Sequence, residues 1–287
     1  MVRGSIPSQE RFFSFRDSEK LRSFFLRSCE VFKDYKFVML PSVEMYDPEI
    51  YTGSYKPVVV STGTDGDILN LRADWTISLA RFLSSIKHLE LPIRVYYWGN
   101  VFSSIGDMER FQTGIEHLGT EDTDAEVVQT ISEYLKACRI DDFVVSVGHM
   151  GIVSKMVKDY DHKERQGLIR ALYEKNFSQL EPYPSIRDIL YFQGDKSVVE
   201  SFCKKRPEFE KECSELLKLA ETLKDIEISF DLSEIRLQDY YTGLIFEFFH
   251  PNIGHPIAGG GRYDRLYSLF GKDIKAVGCA VYLDKLL

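Results

Sequence analysis

The sequence lacks the features that mark several large classes of protein. No uninterrupted apolar run approaches the ~20 residues that a membrane span needs, and residues 1–13 lack the apolar stretch of a signal peptide. Basic residues are outnumbered, with 36 Lys and Arg against 44 Asp and Glu and a net charge of −8. This balance argues against a broad nucleic-acid-binding surface. We therefore expect a cytoplasmic protein that spans no membrane.

Cysteine and histidine are scarce and scattered. The five cysteines form no CxxC pair, and their odd number predicts reduced thiols rather than a disulfide framework. The histidines form no HExxH motif, and His250 and His255 alone are too few ligands to predict a metal site. The run GGGRYD at 259–264 lacks the Lys-Ser/Thr of a P-loop, and its glycines are more typical of a close backbone approach. We predict neither a metal nor a cofactor.

Hydrophobic periodicity predicts a mixed α+β chain. Helical spacing covers 17–32, with Asp17 as the expected N-cap, and continues at 76–89 and 121–138. Residues 149–224 are charged and amphipathic, which predicts a helical insertion within a single domain over 1–287. Strand patterns occupy 36–40, 57–62, 68–73, 94–102, 111–119, 143–148, 226–230, 240–251 and 276–283.

Two polar residues stand out on the strand 111–119. Gln112 and Glu116 are four positions apart, so both side chains point to one face of the strand. If that face lines a pocket, Glu116 suits a cationic or N–H-bearing ligand and Gln112 suits an amine. If that face is exposed to solvent, Gln112 and Glu116 are ordinary surface residues and indicate no function. The preceding loop offers Ser103, Ser104 and Asp107, which are poorly suited to bind a phosphate.

Two further segments carry candidate binding residues. In RLQDYYTG, Arg236 precedes Tyr240 and Tyr241, which strand alternation would send to opposite faces. The plainer alternative is a surface ion pair and two packing aromatics. In LRADWT, Asp74 and Thr76 stand between a strand and a helix. There the alternative is a helix-capping Asp74 or a local salt bridge.

The order of these motifs resembles one known family. LPSVEMYDPEIYTG, LRADWTISLAR, RVYYWGNVF…RFQTGIEHLGTEDTDAEVV, RLQDYYTGLIFE and GGGRYDRL…AVGCAVYLDKL together resemble the catalytic domain of histidyl-tRNA synthetases, over most of 8–287 outside the helical segment. The resemblance implies the class II aminoacyl-tRNA synthetase fold, an antiparallel six- to seven-stranded sheet flanked by helices, usually in a dimer. It implies a histidine-binding set without catalytic residues: Asp74, Thr76, Gln112, Glu116, Arg236, Tyr240, Tyr241 and Tyr263.

The resemblance also implies roles for these residues. Asp74 and Thr76 match the pair that holds the α-amino group, with Asp74 one methylene shorter than the family's Glu. Glu116 matches the residue at the imidazole N–H. Arg236 would reach the carboxylate and Tyr241 the ring, with Tyr263 as a further aromatic wall.

The ATP-binding positions of the family are altered in this sequence. Ser103 stands at the motif 2 arginine, Ile105 at the following Glu, and Lys285 at the arginine that ends motif 3. Adenylation needs preorganised cations where charge develops on the phosphates. Because the sequence ends at motif 3, we also expect the family's anticodon-binding domain to be missing. We expect adenylation, aminoacylation and tRNA binding to be lost.

A synthetase-like domain of this kind resembles the regulatory subunits of ATP phosphoribosyltransferase. That resemblance implies a homodimer within a hetero-oligomer that contains the short-form catalytic subunit. It implies a role at the first step of histidine biosynthesis, with histidine as feedback effector. Two alternatives stay open: a truncated ligase that activates histidine, and a free-standing histidine sensor.

Overall fold

The computed structural model describes residues 13–51, 57–62, 66–104 and 108–287. The helices are α1 (Phe15–Val31), α2 (Trp75–Ser85), α3 (Asp124–Ala137), α4 (Met150–Val157), α5 (His162–Tyr173), α6 (Phe177–Leu180), α7 (Pro184–Arg187), α8 (Lys196–Lys205) and α9 (Glu210–Thr222). The strands are β1 (Lys36–Val38), β2 (Val43–Met45), β3 (Val59–Thr62), β4 (Ile68–Leu71), β5 (Ile93–Phe102), β6 (Glu109–Leu118), β7 (Val144–His149), β8 (Gln193–Gly194), β9 (Ile228–Asp231), β10 (Leu244–Phe249), β11 (Pro256–Arg262) and β12 (Ala276–Tyr282).

The main sheet confirms the predicted fold class. Its order is β1-β5-β6-β12-β11-β10-β7-β9-β8, and the six strands from β5 to β7 are antiparallel throughout. The predicted six or seven antiparallel strands need one correction, because the described residues form a nine-stranded, mixed sheet. β1 pairs parallel with β5 at one edge, and β9 pairs parallel with β7 next to the other edge. These short strands attach through long connections, which allow parallel pairing.

Both faces of the main sheet are covered. Side chains alternate along β5, so Tyr96 packs into a core with α1 and α3, whereas Val95 and Tyr97 pack into a second core with α2. The smaller sheet, in the order β2-β4-β3, contains the predicted strands 57–62 and 68–73, which pair as an antiparallel hairpin of β3 and β4. Part of its turn, 63–65, lies outside the described residues. The face of the main sheet that α2 covers is the one that carries the site.

The segment between β7 and β9 is helical. Helices α4 to α9 occupy most of 150–222, and the two-residue strand β8 joins the edge of the main sheet beside β9. Their apolar side chains, among them Leu172, Phe202 and Leu216, belong to the larger core. That this segment is an insertion into the synthetase fold stays a prediction.

Three local predictions were wrong. Helix α1 begins one turn earlier than expected, because Ser14 is the N-cap and Asp17 is the third residue of a capping box. Strand β11 was not predicted, because its three consecutive glycines lower strand propensity. Tyr240 and Tyr241 precede β10 instead of entering it, so strand alternation does not separate them. Among the described residues, no helix is long and apolar enough to cross a membrane.

Candidate functional site

A cavity of about 710 Å³ lies against the α2 face of the main sheet. This volume is within the ordinary range for a small-molecule site. The structure brings all eight predicted binding residues to its walls: Asp74, Thr76, Gln112, Glu116, Arg236, Tyr240, Tyr241 and Tyr263. Four separate chain segments therefore converge on one cavity. Whether histidine binds there stays a prediction.

Glu116 is the most enclosed charged group of the cavity. It lies on β6 and is only 2% exposed. The Thr76 hydroxyl donates a hydrogen bond to Oε1 at 3.0 Å, and the Tyr263 hydroxyl donates one to Oε2. Burial raises the pKa of Glu116 to about 8, although both hydroxyls lower it, and the nearby Asp74 raises it further. The Glu116 carboxyl is therefore easier to protonate than that of an exposed glutamate.

Asp74 caps helix α2 and also faces the cavity. Its Oδ1 accepts a hydrogen bond from the Ile77 backbone N–H at 2.8 Å, and its Oδ2 accepts one from the Tyr240 hydroxyl at 3.3 Å. The capping alternative and the binding-residue prediction are thus compatible. The cap fixes the carboxylate at the start of α2, where it also faces the ligand space.

Arg72 anchors the chain just before this cap. It is 2% exposed and donates hydrogen bonds to the carbonyl oxygens of Leu40, Pro41 and Asn100 at 2.8–3.0 Å. Its guanidinium also lies 3.6 Å from the ring centroid of Trp75. Arg72 therefore holds the strand-to-helix turn through backbone carbonyls, and the alternative of a local salt bridge stays a prediction.

Arg236 forms a largely buried ion pair on the floor of the cavity. Its Nη1 lies 2.8 Å from Glu247 Oε1, and both side chains are about one-eighth exposed, at 12% and 13%. Nη2 donates to the Phe246 carbonyl oxygen at 3.2 Å. Burial alone would lower the pKa of Arg236, but Tyr282 and Glu247 raise it more, so the guanidinium stays charged. The alternative of a surface ion pair is wrong.

Three tyrosines form an aromatic wall beside these charges. The rings of Tyr240 and Tyr241 lie 4.7 Å apart, and Tyr263 meets Tyr240 edge-on at 5.7 Å and Tyr241 edge-on at 6.3 Å. Such T-shaped packing is the favoured geometry for aromatic rings. The wall presents ring faces and hydroxyls together, which suits a flat polar ring.

The other end of the cavity contains a cation that the sequence reasoning missed. Arg110 lies on β6 on the same face as Gln112 and Glu116, and its buried Nε has no hydrogen-bond partner within the described residues. Ser103, Lys285 and His255 also line the cavity. We call this group the Arg110 end, and we call Asp74, Thr76, Glu116, Tyr240, Tyr241 and Tyr263 the Glu116 end. Strand alternation from Gln112 would have located Arg110.

Part of the predicted phosphate-poor loop lies outside the described residues. Ser103 and Ser104 are described, whereas Ile105 and Asp107 fall outside the described residues. Arg110, one cation of this end, lies on the strand that follows the loop, two positions before Gln112.

Comparison with known proteins identifies relatives along almost the whole chain. The family profile described as Histidyl-tRNA synthetase matches residues 11–286. The ATP phosphoribosyltransferase regulatory subunit of Aquifex aeolicus is 35% identical over 298 residues, covering 100% of this chain and 76% of that protein. The subunit of the same name from Carboxydothermus hydrogenoformans is 30% identical over 275 residues, covering 87% and 85%. A solved ATP phosphoribosyltransferase regulatory subunit/histidyl-tRNA synthetase from Bacillus halodurans superposes with a TM-score of 0.87 at 25% identity, covering 100% and 83%.

Proposed function

Because the chain belongs to the histidyl-tRNA synthetase family, and within it to the ATP phosphoribosyltransferase regulatory subunits, we propose that it regulates that enzyme in response to histidine. In this role it is a non-catalytic subunit that acts with a short-form catalytic subunit at the first step of histidine biosynthesis. It works in the cytoplasm and carries out neither adenylation nor aminoacylation.

The Glu116 end is the observation that carries the histidine proposal. A buried carboxylate positioned by two hydroxyls can accept the imidazole N–H. Asp74, fixed by the helix cap, lies near it for the α-amino group, and Arg236 supplies the cation for the carboxylate. The tyrosine wall stacks against the ring. The imidazole N–H, the α-amino group and the carboxylate of histidine therefore each have a partner of complementary charge or hydrogen-bonding character.

Feedback requires that histidine bind one state of the complex more tightly than another. A coupling free energy of ~1–3 kcal/mol between the site and the catalytic subunit is enough to change activity several-fold or more. The same coupling must make the catalytic subunit alter the affinity for histidine.

The test measures histidine binding and histidine inhibition in one preparation. The chain is copurified with a short-form ATP phosphoribosyltransferase, and calorimetry and activity are recorded with and without histidine. We expect binding, and inhibition that is lost in the Glu116→Ala complex. No binding by the chain or the complex would refute the histidine proposal. A chain that binds histidine but never associates with the catalytic subunit would instead be a free-standing sensor.

We further propose that the chain forms a homodimer within the hetero-oligomer. The smaller sheet exposes apolar side chains that a second copy can cover: Val43 (46% exposed), Met45 (46%), Val59 (55%) and Ile68 (42%). Light scattering of the isolated chain should give twice the chain mass, and Met45→Glu should shift it toward the monomer. A monomeric wild type would contradict this part of the proposal.

The Arg110 end favours one second candidate function, a truncated ligase that activates histidine. The cavity continues from Glu116 to Arg110 and Lys285, which gives room and positive charge for a second ligand. Histidine-dependent exchange of pyrophosphate into ATP measures this activity directly. We expect none, because Ser103 replaces an arginine and Lys285 lacks the bidentate geometry of the other. Exchange above background would favour the ligase.

A further inference from the structure

Two glycines of the main sheet lie directly beneath the two charged groups that matter most in the cavity. Gly278 on β12 is the cross-strand partner of Glu116 on β6, and Gly259 on β11 is the cross-strand partner of Glu247 on β10. Neither glycine has a positive φ. Their backbone is therefore compatible with alanine, and only the space above them requires a glycine.

Gly259 provides space for the Arg236 guanidinium. A β-carbon at position 259 would overlap Arg236 Nη2 and lie 3.0 Å from Arg236 Cζ and 3.1 Å from the Tyr282 hydroxyl oxygen. Every obstructing atom belongs to a side chain. The Arg236 guanidinium lies over Gly259, held by the Glu247 carboxylate and by the Phe246 carbonyl.

Gly278 provides the same kind of space for Glu116. A β-carbon there would overlap Glu116 Oε2 and Cδ, and it would lie 2.7 Å from the Ile115 carbonyl oxygen. Directly opposed residues of an antiparallel pair have β-carbons only ~4.5–5.5 Å apart, so an alanine would force the carboxyl group away from the sheet. The position of the Glu116 carboxyl therefore depends on Gly278.

We propose that Gly259 and Gly278 are positioning residues that set the location of the Arg236 guanidinium and the Glu116 carboxyl, and hence the distance between the two ends of an amino-acid ligand. The ligand part of this inference rests on the proposed histidine function. A side chain at either glycine lifts a charged group into the cavity. A small displacement of this kind reduces binding because the partner groups no longer match the fixed spacing of the ligand.

The first experiment needs no ligand. Gly259→Ala is compared with the wild type, and again in the Arg236→Ala background, by chemical denaturation. We expect Gly259→Ala to destabilise the wild type and to have a much smaller effect once Arg236 is truncated, since the two nearest obstructing atoms are then gone and only the Tyr282 hydroxyl stays close. Equal destabilisation in both backgrounds would show that Arg236 does not use this space. That outcome overturns the inference whatever the chain binds.

The second experiment measures histidine affinity by calorimetry in folded variants. Gly259→Ala should weaken binding about tenfold or more. Combined with Arg236→Lys, it should add nothing to the loss that Arg236→Lys causes alone. Gly167→Ala is the control, because a β-carbon there meets no atom within 4 Å. A folded Gly259→Ala protein with wild-type affinity would contradict a positioning role.

Gly278→Ala gives an independent measurement of the same inference. The matched partner is Glu116→Asp, which withdraws the carboxyl by one methylene. We expect the double variant to be more stable than Gly278→Ala alone, although the Ile115 carbonyl limits the recovery. If wild-type protein binds no histidine, the histidine proposal fails, while both stability cycles still decide whether the glycines position these groups.

Discussion

The two ends of the cavity differ in how completely their polar groups are already hydrogen-bonded. At the Glu116 end, both oxygens of Glu116 and both oxygens of Asp74 accept hydrogen bonds from within the chain. At the Arg110 end, the buried Nε of Arg110 has no hydrogen-bond partner within the described residues. A side chain that hydrogen bonds already hold in place loses little conformational entropy when a ligand binds. A side chain without such bonds loses more, because the ligand itself must order it. The comparison of the carboxylates therefore favours the Glu116 end as the ligand-recognising part, and the buried Nε of Arg236 beside it, like that of Arg110, has no hydrogen-bond partner within the described residues.

The largest expected effect concerns protonation at the Glu116 end. The folded-state pKa of Glu116 is about 8 against a usual 4.5, because the carboxyl is desolvated. Between pH 4.5 and pH 8 the folded chain therefore keeps a proton on Glu116 that the unfolded chain has already released. The stability contribution is therefore fully present below about pH 4.5 and is lost as pH rises to 8, by at most about 5 kcal/mol.

Chemical denaturation at pH 5 and pH 8 measures this loss. Glu234, whose pKa burial raises to about 7, titrates in the same window, so the relevant quantity is the difference between the wild type and Glu116→Gln. We expect the pH dependence to be weaker in the variant. Identical slopes in the two proteins would mean that Glu116 is ionised throughout.

The second prediction compares two glutamates of the same strand. Glu116→Gln keeps the shape of the side chain but prevents it from ionising when a ligand N–H approaches, and should weaken histidine binding by about 1.5–3 kcal/mol, roughly ten- to a hundredfold. Glu109→Gln is the matched control, because Glu109 is exposed and bonds Asn100 outside the cavity. Calorimetry on both variants decides the matter. Equal losses of histidine affinity in the two variants would show that any change on this strand disturbs binding, and that Glu116 has no specific role.

The third prediction concerns the hydroxyl that orients Glu116. Thr76→Val keeps the shape of the side chain and removes the hydrogen bond to Oε1, which should weaken histidine binding by about 1 kcal/mol, several-fold. The pKa of Glu116 should also rise, because this bond lowers it. Thr130→Val on α3, beside Tyr35, is the control, and its affinity should not change. A Thr76→Val variant with unchanged affinity would remove Thr76 from the site.

The sheet was largely predictable and its exceptions have physical reasons. β5 and β6 contain long alternating or β-branched runs, so their pairing follows from local pattern. β11 was missed because glycine has low strand propensity, yet these glycines leave the space that Arg236 occupies. Local strand propensity cannot predict that position 259 requires a glycine, because the reason is the Arg236 side chain, which is more than twenty positions away in the sequence.

The site residues were located by motif order, but their contacts were not predictable. The bond between Tyr263 and Glu116 joins residues 147 positions apart, and the bond from Thr76 spans 40. Neither partner has a local pattern that identifies it. The contacts of Asp74 were not predictable either. The sequence leaves helix capping and ligand binding as alternatives, but one carboxylate oxygen caps the helix while the other faces the cavity.

The smallest expected effect is on histidine binding by a variant of Arg110, which tests whether the two ends of the cavity act on separate ligands. Arg110 and Glu116 are six positions apart on one strand, so their α-carbons are separated by about 20 Å, too far for one histidine to contact both. Arg110→Met keeps an unbranched side chain but removes the guanidinium, and it should change histidine affinity by less than about twofold. Arg236→Met, by calorimetry under the same conditions, should weaken it strongly. A large loss in Arg110→Met would instead show that both ends act on one ligand, and the distinction between them would fail.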